Sequence, residues 1–295
     1  MLKLIEIKYN LEKITLYLLV ENTTYKHSFL ASHGLSIFIK GYTINGDQYN
    51  IMFDTGNDEK VLLNNIEKFR LDLTDLDAIV ISHGHYDHTG GLMALLTLSD
   101  RKLPVIMHPD ALNKKYYIGK KIRYVGNPFD PSELKNKAHL ITSKEAMSVS
   151  EGIYTSGEIS REGSYSWTKG FYQMENGEIK PDEILDDMSL ILTLANNEVV
   201  VLTGCGHSGI ANIVSDIFKK FNPKKILHIM GGFHLEPVPK EVLERNWEVL
   251  KNANIQFFTP MHCSGPTIVS KIINEMPERY IMLHAGDKHE IKIEI

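Results

Sequence analysis

Short apolar runs rich in Val and Ile recur along the chain. They are Ile14–Val20, Leu35–Ile39, Tyr49–Phe53, Ala78–Ser82, Pro104–Met107, Ser189–Leu194, Glu198–Thr203, Lys225–Met230, Ile255–Thr259 and Tyr280–Leu283. Continuous apolar runs of this length suit strands covered on both faces. Between them, Asp58–Phe69, Gly90–Leu98, Ile210–Phe221, Pro239–Asn252 and Pro266–Glu275 carry helical patterns, and Pro266 suits a first helical turn. The early strands alternate as hairpins and the later ones alternate with helices. That pattern predicts an α/β chain with two mixed sheets flanked by helices, read as a single domain over residues 1–295. Two stretches break the pattern, 111–139 and 158–187, and are expected as lid or substrate loops. The first is basic and holds Lys114, Lys115, Arg123, Tyr116, Tyr117 and Tyr124, while the second holds Arg161, Trp167, Phe171 and Tyr172. A solvated surface loop is the plainer reading of either.

Composition narrows the class. The chain has 295 residues, 43% of them hydrophobic and 23% charged, and is long enough to bury a sizeable core. A net charge of -5 argues against a global grip on nucleic acid. Its 2 cysteines, Cys205 and Cys263, offer no disulfide framework, so a reducing, cytoplasmic setting is expected. The N-terminal stretch is broken by Glu6, Lys8, Glu12 and Lys13, and no segment supplies enough uncharged apolar residues to span a membrane. The 13 histidines, several among glycines, are the first sign of metal chemistry.

The strongest motif is His83-Gly84-His85-Tyr86-Asp87-His88, directly after the buried-strand pattern Ala78–Ser82. In extended backbone His83 and His85 point to one side, so both can ligate one ion. Asp87 and His88 face a second ion across the turn into the next helix. Imidazole and carboxylate are a ligand set that zinc accepts, and an ion with an open position acidifies its water. Chance clustering on a surface loop is the bland alternative, and four ligand-type residues after a strand weigh against it.

This pattern, with the upstream Phe53-Asp54-Thr55-Gly56, resembles the signature of the metallo-β-lactamase superfamily. The resemblance implies a four-layer αββα sandwich and gives Asp54 the role of orienting the ligands, although alone it reads equally as a turn or helix-cap aspartate. Further stretches resemble the 7,8-dihydropterin-6-yl-methyl-4-(β-D-ribofuranosyl)aminobenzene 5'-phosphate synthase-like subfamily. They are Ser32–Ser36, Ser156–Arg161, Asp186–Leu190, Thr203–Ile210 and Gly231–Leu235.

The chain departs from the general superfamily pattern in two places. Glu158 falls near the position of the third-motif histidine, and Cys205 stands where a bridging aspartate usually follows Thr-Gly. His207 is therefore expected as the third ligand beside His83 and His85, with a helix-capping imidazole the alternative. Cys205 either ligates as a thiolate or fills a small apolar site. His262, at the end of an apolar strand, is expected to join Asp87 and His88. His234 is expected to contact substrate and, with Asp87, to serve catalysis. His33 and Glu158 are further candidates. Without the bridging carboxylate the second ion is expected to bind more weakly. The family's diiron branch carries Glu where this chain has His85, so zinc is the expected metal, with manganese or iron the alternatives and one or two ions per chain.

These residues predict a metal-dependent hydrolase or phosphoester-processing enzyme that uses metal-activated water. The subfamily resemblance implies a small anionic, ring-bearing substrate of pterin or ribosyl-phosphate type, with the loop aromatics stacking and the loop Lys and Arg residues holding phosphate. Rivals are a lactonase, thioesterase or cyclic phosphodiesterase on the same scaffold, or a metal-bound ligand sensor. An oligomer is compatible with all of them.

Overall fold

Alternating side chains explain the layers. In β1 (Leu11–Val20), β2 (Ser36–Thr43) and β3 (Gln48–Phe53), the consecutive residues Leu18–Val20, Ile37–Ile39 and Ile51–Phe53 are apolar and all buried, so both sheet faces are covered there. The computed structural model describes residues 6–293; the first five residues of the N-terminal stretch and the last two lie outside it. After β3 come α1 (Glu59–Phe69), β4 (Ala78–Val80), α2 (Tyr86–Thr89), α3 (Leu92–Thr97) and β5 (Pro104–Met107). The middle of the chain adds β6 (Lys114–Ile118), β7 (Ile122–Tyr124), α4 (Pro131–Lys137), β8 (His139–Thr142), β9 (Glu145–Ser150), β10 (Ile153–Gly157), β11 (Phe171–Glu175) and β12 (Glu178–Pro181). The last part runs β13 (Ser189–Leu194), β14 (Glu198–Thr203), α5 (Ile210–Phe221), β15 (Lys225–Gly232), α6 (Lys240–Asn252), β16 (Ile255–Met261), α7 (Pro266–Glu275) and β17 (Lys288–Lys292).

One mixed sheet is ordered β17-β1-β2-β3-β4-β5-β8, and the other β9-β10-β13-β14-β15-β16. A single parallel pairing, Leu11 with Leu194, joins them at one edge. Leu16, Leu18, Ile37, Ile39 and Phe53 of the first sheet face Leu190, Leu192, Val200 and Leu202 of the second and fill the interior between them. The alternate residues turn outward. Phe38 and Met52 meet Leu62, Ile66, Leu92 and Leu95 from α1 and α3, while Ile191, Val199 and Val201 meet Ile213, Ile217, Trp247 and Ile268 from α5, α6 and α7. Helix, sheet, sheet, helix is the expected four-layer arrangement.

Two expectations are corrected. Segments 111–139 and 158–187 are not irregular loops: β6, β7, β11 and β12 from them form a four-stranded antiparallel sheet ordered β12-β11-β6-β7, and α4 follows. β7 and β12 are exposed and β6 and β11 bury only the polar Lys115 and Gln173, so these strands lack the apolar alternation that marks a strand in sequence. Tyr280–Leu283 is not a strand; it contributes one isolated bridge from Tyr280 to Phe258, and the edge beside β1 is taken by β17. Among the described residues no helix is long and apolar enough to cross a membrane.

Candidate metal centre

The site is assembled at the ends of β4, β14, β15 and β16, where strands stop and side chains project beyond the sheet edge. The turn after β4 carries His83 and His85, and the short α2 carries Asp87 and His88. The turn after β14 carries Cys205 and His207, that after β15 His234, and that after β16 His262 and Cys263. His83, His85, Asp87, His88, His207 and His262 thus converge, with His234 beside them, the His207 and His234 ring centroids being 4.1 Å apart.

Among the described residues, two of three overlapping groups of ligand-type atoms make up the inner cluster. His83 and His207 offer nitrogens on one side, with His85 Nδ1 2.9 Å from His83 Nε2. Asp87, His88 and His262 form the other, the Asp87 carboxylate lying 3.3 Å from His262 Nε2 and 3.1 Å from His33 Nε2. The Cys205 sulfur belongs to both groups and lies 3.1 Å from His88 Nε2. Cys205, expected either as a thiolate ligand or as a small apolar filler, stands where a bridging carboxylate usually follows Thr-Gly at a strand end, and its sulfur lies among the ligand-type atoms.

The donor set fits a divalent ion on a physical test. Both ring nitrogens of His207 and Nε2 of His85 are buried without a hydrogen-bond partner. Each such orphan costs about 1–3 kcal/mol, and a cation that accepts the lone pair of His85 Nε2 and of one His207 nitrogen removes that cost at those two atoms. Burial holds the His83 and His207 imidazoles well below the ordinary histidine range, and burial together with Lys115 brings His85 down to about 3. Neutral imidazole is the ligating form. Burial pushes the Cys205 thiol up, so ligation there requires loss of a proton.

The supporting contacts are carboxylates. Asp54 sits at φ 56°, a left-handed conformation that aspartate tolerates better than most residues. It accepts from Ser82 N and Ser82 Oγ, each at 2.7 Å, and its Oδ2 lies 2.6 Å from His88 Nδ1. Its expected orienting role has this contact as its basis, not a helix cap. Asp186 accepts from Gly84 N at 2.8 Å, between the two motif histidines, and is itself held by Lys115 Nζ at 2.8 Å. Asp187 accepts from Ser208 N at 2.8 Å and from Gly206 N at 3.2 Å, one residue to each side of His207. The adjacent acids of one loop therefore brace both histidine-bearing turns, which their position before β13 alone does not disclose.

Burial opposes charge on His88, but Asp54 and Asp87 outweigh it and raise its pKa to about 9. In metal-free protein that imidazolium contributes stability that is full below the unfolded value near 6.5 and is lost as pH rises through about 9. Metal must displace the same proton. Proton release on metal uptake is therefore expected to be larger at pH 7.5 than above pH 9, measured by calorimetry in buffers of different ionisation enthalpy. Release that does not change across that range would contradict the His88 assignment.

Above the ligands lies a cleft of about 350 Å³. Its walls include Tyr117, Arg123, Trp167, Lys169 and Phe171 from the four-stranded sheet and its connection, and His33 and His234 also line it. Phe171 stacks on His85 at 5.3 Å. Three candidates fall elsewhere. Glu158 pairs with His108 at 2.9 Å and Lys144 at 3.2 Å instead of entering the cluster. Arg161 is spent on the carbonyls of Glu183 and Ile184. Tyr172 does not line the cleft, being on the opposite face of β11 from Phe171.

Comparison with known proteins agrees with this geometry. Residues 33–154 match the metallo-beta-lactamase superfamily. The chain is 28% identical over 283 residues to 7,8-dihydropterin-6-methyl-4-(beta-D-ribofuranosyl)-aminobenzene-5'-phosphate synthase of Methanocaldococcus jannaschii, covering 93% of this chain and 96% of that protein. It is 36% identical over 256 residues to an uncharacterized protein of the same organism, covering 86% of this chain and 92% of the relative. The crystal structure of a metal-dependent hydrolase of the β-lactamase superfamily superposes with a TM-score of 0.81 at 29% identity, covering 95% of this chain and 100% of that one. With the histidine turn at the end of β4, the four layers and these relatives all in agreement, the chain belongs to the metallo-β-lactamase superfamily.

Proposed function

We propose that this chain is a metal-dependent hydrolase of small, anionic, ring-bearing phosphoesters. The observation that carries the reading is a cluster of buried, partly unpartnered imidazoles at the floor of a cleft walled by aromatic and basic side chains. In this reading His83, His85 and His207 hold one ion, Asp87, His88 and His262 hold a second, and Cys205 lies between them. Zinc is the expected metal, with manganese or iron as alternatives. A bound divalent ion would supply a Lewis acid that acidifies water and offsets charge developing on the reacting group.

The remaining work falls to the chain's own residues. Burial opposes charge on Asp87, but His88, His262 and His33 outweigh it and hold its carboxylate well below the usual range, so it is ionised and ready to accept a hydrogen bond from water. His234 borders the cleft and meets the substrate. Trp167 and Phe171 offer ring faces, and Arg123 and Lys169 offer charge to a phosphate. The archaeal relative bears the name of a synthase for a pterin-linked ribosyl phosphate, and the structural neighbour that of a metal-dependent hydrolase. Both names are compatible with a phosphorylated, ring-bearing ligand. The two basic residues in the cleft favour that class over an uncharged lactone.

The test is a panel of phosphodiester, phosphomonoester, lactone and thioester substrates with zinc-loaded protein. Phosphoester turnover is expected, lost on chelation and restored by zinc. Turnover confined to lactones or thioesters would refute the substrate class.

A further inference from the structure

The chain has 2 cysteines, 58 positions apart, and the fold brings both to one place. Cys205 follows β14, His234 follows β15 and Cys263 follows β16, and these three neighbouring strands are parallel. Their side chains therefore leave the sheet at the same end. Outer strands of such a trio lie roughly 9–10 Å apart, so residues beyond β14 and β16 meet only by leaning over the end of β15. That end is Gly231-Gly232. A Cβ on Gly232 would stand 2.7 Å from Cys263 Sγ and 2.8 Å from Cys205 Cα. The absence of a side chain is what lets the two cysteines approach, and Cys263 Sγ lies 3.3 Å from the Cys205 carbonyl oxygen. His234 completes the trio. It adopts φ 43°, unusual for a non-glycine residue, and its Nδ1 is buried with no hydrogen-bond partner.

We propose that Cys205, His234 and Cys263 form a further, sulfur-rich metal position on the cleft side of the inner centre. One ligand atom from each lies within 4.8 Å of the others, close enough to contract around one ion. All three residues line the cleft, so the fourth coordination direction opens toward substrate or solvent. Two thiolates and one imidazole select thiophilic ions such as zinc, cadmium or cuprous copper. Binding converts each thiol to a thiolate and releases its proton to solvent, with no change of oxidation state. Because Cys205 is shared, filling this outer position competes with its use in the inner centre. To that extent the proposal rests on the inner centre proposed above.

The test is a cobalt(II) titration of the full chain under reducing conditions, reading bound equivalents and the near-ultraviolet thiolate-to-cobalt band. Wild type is compared with Cys263→Ser, His234→Gln and His83→Ala, each checked for native circular dichroism. Under the proposal, Cys263→Ser and His234→Gln each bind fewer cobalt equivalents than wild type, and Cys263→Ser also has a weaker band. The part of the signal that depends on Cys263 persists in His83→Ala. If Cys263→Ser and His234→Gln keep the full stoichiometry and band while His83→Ala loses them, the inner centre stands and the outer position is refuted. If His83→Ala keeps the Cys263-dependent signal and has lost no other cobalt, the outer position stands and the inner reading falls.

Discussion

Replacing Lys115 with methionine is expected to cost the fold about 3–5 kcal/mol, the range seen when one partner of a buried ion pair is removed. Lys115 is fully buried on β6, and its Nζ donates to Asp182 and Asp186, each at 2.8 Å. Burial opposes the ammonium charge, yet the two carboxylates outweigh it and hold Lys115 above the ordinary lysine value. Methionine fills much of the stem's volume but leaves two buried carboxylates facing each other without a cation. Thermal and urea unfolding of metal-free protein should show the loss, as a fall of roughly 10 °C for a chain of this size. Adding Asp182→Asn should return part of it, because one of the stranded charges is removed. The effect should also reach the metal centre. Asp186 holds Gly84 N between His83 and His85, so releasing it loosens the turn that offers both imidazoles. A drop of about 10- to 100-fold in metal affinity is expected, as for other groups that support ligands. Stability and affinity both within error of wild type would remove this triad from the account.

His83→Ala should reduce phosphoester turnover by about 10^3-fold or more. A metal ion supplies several kcal/mol of transition-state stabilisation, and each 1.4 kcal/mol is tenfold in rate. His83 is fully buried, with Nδ1 2.9 Å from Ser82 Oγ and Nε2 facing His85, so no solvent-exposed group can replace it. Metal analysis after dialysis should find less tightly held ion in this variant than in wild type. Circular dichroism separates lost ligation from lost fold. Turnover within tenfold of wild type would remove His83 from the catalytic metal centre.

The small sheet of β6, β7, β11 and β12 links these two predictions. It walls the cleft with Tyr117, Arg123 and Phe171, and through Lys115 it is tied to the acid that braces the histidine turn. Substrate contact and ligand geometry thus share one mechanical element. The β6 pattern of lysines and tyrosines hides this in sequence, because a buried lysine and a solvated one look the same there.

What the sequence by itself determined is local in kind. The buried strand leading into His83–His88 delivers four ligand-type side chains through backbone geometry alone, and the continuous apolar runs within β1, β2, β3, β13 and β14 require cover on both sheet faces. The places of His207 and His262 in the cluster are legible because each follows a clear apolar strand. What only the tertiary structure decided depends on residues far apart in the chain. Glu158 has a ligand's chemistry but meets His108 and Lys144, while Cys205, open in sequence between a thiolate ligand and an apolar filler, stands between both candidate ligand groups. Asp186 and Gly84 are separated by 102 positions, and Cys263 reaches Cys205 only across a strand end without a side chain. Periodicity records which face of an element is covered; it carries no information about which distant element does the covering, and that is what placed the sulfurs and the bracing acids.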